Sequence, residues 1–95
     1  MPDLFVLARS ATDKEQLQSD VDLVMARSYV FVGGALQAVD NHAKAVVFFS
    51  EALTYQPDHI DALKGRAESY QSLGEISSAD ADRIRVQALS AEASS

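Results

Sequence analysis

Cysteine is missing from this chain, which excludes disulfides, thiolate metal sites and a thiol nucleophile. Positive charge is scarce as well. Eight bases stand against 14 acids, for a net charge of −6. The bases are scattered over Arg9, Lys14, Arg27, Lys44, Lys64, Arg66, Arg83 and Arg85. Nucleic-acid binders carry a basic face, and only Arg83 and Arg85 sit close together, where they read as a solvated helix face; no nucleic-acid partner is expected. No segment approaches the ~20 apolar residues of a membrane span. The apolar run LFVLA at Leu4–Ala8 lacks the basic start and the length of a signal peptide. The expected setting is therefore cytoplasmic, with no membrane partner.

The marks of catalysis are equally thin. No serine lies in a nucleophile elbow, and Gly33-Gly34 lacks the lysine and strand of a phosphate loop. Asp13, Glu15, Asp58, Asp61 and Asp80 are explained by the preference of acids for first helical turns. No pair of carboxylates is singled out for acid–base work. His42 and His59 are the only histidines. Stacked helical hairpins would bring their two turns to one edge, but no HxxxH or ExxH pairing accompanies them. They read as exposed turn residues. The expectation is no enzyme, no cofactor, no metal site and no catalytic residue.

What is present is a period. Ala79 stands 34 residues after Ala45, and the same step carries Tyr29 to Leu63, Gly33 to Ala67 and Leu36 to Tyr70. Self-similarity at a fixed spacing of this size marks a repeat protein. Small residues at Gly33, Ala45, Ala52, Ala67 and Ala79 let helix backbones approach closely, and Tyr29, Phe49, Leu63 and Tyr70 fill the gaps. The segment AVVFFSEALTYQP closes on Pro57.

On these residues the chain resembles the tetratricopeptide-repeat family from about Val24 to Leu89. Tyr29, Val32, Gly33, Leu36, Ala45, Phe49, Ala52 and Pro57 follow the family pattern in a first unit, 24–57. In a second unit, 58–90, Leu63, Ala67, Tyr70 and Ala79 fit, with Gly74 in the turn. Arg66, Arg83, Val86 and Ala91 depart from the pattern. A degraded last repeat is what an end cap looks like. The resemblance implies an all-α fold of about four helices in antiparallel helix-turn-helix pairs, a fragment of a right-handed α-solenoid.

Along the chain, 1–95 reads as one domain with an arm over 1–12 and a fraying tail over 91–95. Leu4 to Leu7 is compatible with a strand, a helical turn or a flexible arm. Thr12-Asp13-Lys14-Glu15 reads as a capping box, which starts a first helix at about 13–38. Gly33-Gly34 admits a hairpin as the local rival, but the 34-residue register favours an unbroken helix. Asn41 caps a second helix, about 42–55. Pro57-Asp58 ends that helix and caps a third, about 59–73. Ser77-Ser78 with Asp80 then caps a fourth, which reaches Leu89.

Two uses follow. The resemblance implies an adaptor or scaffold whose concave face holds a protein or peptide segment. Its inward positions would be Arg27, Val30, Gly34, Gln37 and Ala38 in the first unit, and Asp61, Lys64, Glu68, Gln71 and Ser72 in the second. Lys64 and Glu68, four apart, are also spaced to pair with each other. Gly34 and Glu68 stand where the family's carboxylate clamp needs asparagines, so chaperone tails are not the expected ligand. The other use is self-assembly. Two repeats are few where about three are usual, and the stripe Leu17, Val21 and Val24 has no partner within them. A homodimer through that stripe is one expectation. LFVLA folded back on it in a monomer is the alternative.

Overall fold

The structure is a computed structural model that describes the backbone of residues 2–94 and the side chains of residues 13–93. It is all-α: α1 is Pro2–Ala38, α2 His42–Tyr55, α3 Ile60–Ser72 and α4 Ile76–Ser94. No strand occurs among the described residues. The links are only three or four residues long, which makes sequence neighbours antiparallel. Each helix packs on the one before it, and α1 also touches α3.

Helix boundaries repeat at the spacing seen in the sequence. α1 ends at Ala38 and α3 at Ser72, while α2 starts at His42 and α4 at Ile76. Both ends use the same stop. Asp40 N–H donates to the Gln37 carbonyl and Asn41 N–H to that of Leu36; Gly74 and Glu75 donate likewise to Gln71 and Tyr70. This is the Schellman arrangement, which needs a left-handed residue at its centre. Asp40 (φ 62°) and Gly74 (φ 80°) supply it. Asn41 then caps α2, its side chain accepting from Lys44 N–H.

The interior is built from small residues around one large one. Ala26, Ala45, Ala52 and Ala62 are fully buried with Phe49, and Tyr29, Val30, Leu36, Leu53 and Tyr55 pack around them. Tyr29 lies across Phe48 and stacks on Tyr55, with ring centroids 5.9 Å apart in the second pair. The Phe49 ring fills a slot between α1 and α3. A Cβ on Gly33 would lie 2.8 Å from it, and one on Gly65 would come closer still. That contact explains why a glycine is kept in mid-helix despite its poor propensity.

α1 runs unbroken through Gly33-Gly34, the course that the 34-residue register favours over a hairpin. Other expectations are corrected here. α1 starts at Pro2, and Thr12 stands inside a helix instead of capping one. From Pro2 on, the expected arm over 1–12 is the beginning of α1, and a continuous helix cannot fold LFVLA back on its own stripe; the side chains of residues 1–12 lie outside those described. His59, not Asp58, caps α3, its Nδ1 accepting from Ala62 N–H at 3.3 Å. α4 begins at Ile76, which puts Ser77 in its first turn, and it continues through the anticipated tail to Ser94.

α1 is much longer than its neighbours. At 37 residues it reaches about 55 Å, and α2, with 14, covers less than half of it. The molecule measures 63 × 33 × 16 Å, with the first half of α1 projecting beyond the body.

Candidate functional site

Two open clefts flank the outer face of α3. The first, about 400 Å³, lies between α1 and the α2–α3 turn and is lined by Leu23, Arg27, Val30, Gln56, Asp58, His59, Ile60 and Asp61. Leu23, Val30 and Ile60 are half-buried and form its apolar part, while Arg27 and Asp61 are exposed. The second, about 330 Å³, lies between α3 and α4 and is lined by Lys64, Ala67, Glu68, Arg83, Val86 and Gln87. Asp61, Lys64 and Glu68, three and four apart, share one helical face and form the ridge between the clefts.

The structure thus divides the residues expected to line one groove. Arg27, Val30 and Asp61 meet in the first cleft, and Lys64 and Glu68 in the second. Lys64 and Glu68 form no ion pair with each other. Gln37 is turned into the body. Its Nε2 donates to the Gly65 carbonyl at 2.7 Å and to Ser69 Oγ at 2.9 Å, tying α1 to α3. Ser69 is fully buried, and His42 Nδ1 lies 3.5 Å from its hydroxyl. Gln71 is exposed and accepts a hydrogen bond from Arg83.

Behind the clefts lies a polar tie that sequence reasoning missed. Arg66 donates to both carboxylate oxygens of Asp82, at 2.8 and 2.7 Å, and to Ser50 Oγ at 3.2 Å. One guanidinium therefore links α2, α3 and α4, although α2 and α4 do not pack on each other. It also stands over the Tyr70 ring, 5.7 Å from its centre. The hydrogen bond to Asp82 raises the Arg66 pKa above its usual value, against the opposing effect of burial. Raised from an already high value, it leaves the guanidinium charged wherever the protein is folded. Asp82 is 5% exposed, the one buried carboxylate among the described residues, and its charge is fully engaged. The signal in the sequence was Arg66 itself, a base at a position where the repeat pattern wants an apolar residue.

The histidines are separated. His42 opens α2 and His59 follows its far end, so ~20 Å of helix lies between them and they share no edge. Among the described residues no group of three or more His, Asp or Glu side chains is placed to hold a metal ion. Among the described residues no helix is long and apolar enough to cross a membrane.

On the other side of α1, Leu17, Val21 and Val24 line an open apolar hollow of about 300 Å³ with Asp20 and Met25. Leu17 is 63% exposed and Val24 59%; further along the same face Phe31 reaches 79%. This face points away from Ala26 and Gly33, through which α1 meets its neighbours, and no described residue covers it. Compared with protein-family models, with curated proteins and with solved structures, the chain gives no match.

Proposed function

We propose that this protein is a protein–protein interaction module of tetratricopeptide type, two repeats long, that holds a partner segment in the clefts on either side of α3. The observation that carries the reading is the first cleft. An apolar floor of Leu23, Val30 and Ile60 is rimmed by Arg27 and Asp61, a pairing suited to a short segment with an apolar anchor and polar flanks. The repeat of helix boundaries and of both Schellman stops supports the repeat reading. The protein is read as non-enzymatic: among the described residues the one buried carboxylate, Asp82, is held in an ion pair by Arg66. A cysteine-free chain makes no demand for an oxidising compartment, and the cytoplasm is its proposed setting.

Peptides selected from a random display library against the immobilised chain test this. They should shift the backbone amide resonances of Arg27, Val30, Asp61 and Lys64, and should bind Val30→Glu at least tenfold more weakly. Phe31→Glu, on the opposite face, should leave their affinity unchanged. Peptides that bind both variants equally would sink the proposal.

A further inference from the structure

The exposed face of α1 has a regular spacing that the clefts leave unused. Leu17, Val21, Val24, Ser28, Phe31 and Ala35 follow one another at alternating steps of four and three, which is the a/d pattern of a coiled-coil seam. All six are exposed. The polar member is already satisfied, since the Ser28 hydroxyl donates to the Val24 carbonyl at 2.9 Å. Ala26 and Gly33, buried against the body, fall at the f positions of the same heptads. The body therefore stands behind the seam, and a second helix can lie along it.

Charge selects the occupant. Beside the Leu17–Phe31 seam, at its g positions, stand Asp20 and Arg27, one acid and one base, and neither makes an ion pair among the described residues. Asp13 holds the g position one heptad earlier, before the seam begins. In a parallel pair of copies Asp20 would face Met25 and Arg27 would face Val32, leaving both charges without a partner. Consider instead two copies running antiparallel with Val21 opposite Val24. Leu17 then meets Ser28, and the stem of Lys14 lies over the Phe31 ring. Asp20 of each copy comes within ~3 Å, along the axis, of Arg27 of the other. Sliding by one heptad would put Arg27 beside its own copy. Only the first register pairs every charge at the g positions Asp20 and Arg27.

We infer that the protein forms an antiparallel homodimer through the Leu17–Phe31 face of α1, in the register that sets Val21 against Val24 and Asp20 against Arg27. The inference does not rest on the partner-binding clefts. It shares only Arg27 with the rim of the first, and Asp20 lies in neither, so Asp20→Arg tests the dimer without touching the clefts. The dimer also gives the projecting half of α1 the packing that its own chain lacks.

Two measurements on the full chain test this. Sedimentation equilibrium at micromolar concentration should give twice the 10.3 kDa of one chain. Asp20→Arg and Arg27→Asp should each weaken the dimer about tenfold, since each turns two symmetric attractions into repulsions of roughly the strength of surface ion pairs. The double swap should restore it. Since the chain has no cysteine, register can be read by oxidation of single-cysteine variants. Leu17→Cys mixed with Ser28→Cys should give a mixed disulfide. Neither should cross-link alone, because in this register each cysteine lies about 16 Å along the axis from its copy, beyond disulfide reach. A mass of one copy at 100 µM would overturn the proposal and leave the face to another protein's helix. Self-disulfides of either variant, or a double swap no stronger than the single changes, would overturn the register.

Discussion

The two adjacent glycines of α1 have opposite meanings. Gly33 is buried, and a side chain there would meet the Phe49 ring at 2.8 Å; around Gly34 nothing lies within 4 Å. Alanine in an exposed helix interior gains about 1 kcal/mol over glycine. Gly34→Ala should therefore raise stability by about that amount. Gly33→Ala should lower it by about 1–3 kcal/mol, because overpacking outweighs propensity. Gly65→Ala, on the other side of the ring, should fall on the Gly33 side of this divide. Urea titrations of the three variants decide, and equal effects at Gly33 and Gly34 would mean that Phe49 does not fill the slot. Arg66 and Asp82 form a second unit at this scale. Asp82→Ala strands a largely buried guanidinium, with 23% of the Arg66 side chain exposed, and should cost about 3 kcal/mol. Replacing both, as Arg66→Met with Asp82→Leu, should recover most of that in the same titration, because no unpaired charge is left inside.

At the scale of the element, α1 consists of two unlike halves. Residues from Ala26 onward pack on α2 and α3 and Leu23 reaches the cleft beside the α2–α3 turn, while residues 13–21 are all exposed. Most helical stability in a protein comes from packing of an apolar face, which the first half of α1 lacks in a single copy. Amide hydrogens of residues 13–22 should therefore exchange faster than those of 26–38, and should slow as concentration rises and the dimer forms. Uniform, concentration-independent protection along α1 would contradict both claims. Much of the element structure was legible in the sequence. α2 came out with its observed limits, since Asn41 and Pro57 mark its ends by local chemistry alone. Thr12 misled because a capping box is also compatible with the interior of a helix already running, and the four letters do not say whether the chain before them is helical. His59 was passed over for Asp58 because imidazole stands outside the usual set of capping side chains. The site was less legible than the fold. Arg27, Val30 and Asp61 line the first cleft together, because α1 and the start of α3 lie side by side there. Gln37 could not be recognised as a tie, nor Asp82 as the partner of Arg66, because each bond spans two helices and depends on which way a side chain turns.

As a whole molecule the protein is far from spherical. Its radius of gyration is 17.3 Å, where a compact chain of this length would have about 12 Å. The repeated stops after α1 and α3 fold the last three helices into a small block, and the rest of the length is α1 projecting from it. This form has a hydrodynamic consequence. By the same scaling, one copy has the reach of a compact chain of roughly 230 residues. On a sizing column calibrated with globular standards a monomer would therefore elute early, in the position of a protein about twice its mass. Retention volume confuses elongation with pairing in this protein, whereas scattered intensity and sedimentation equilibrium, which count mass irrespective of outline, keep the two apart.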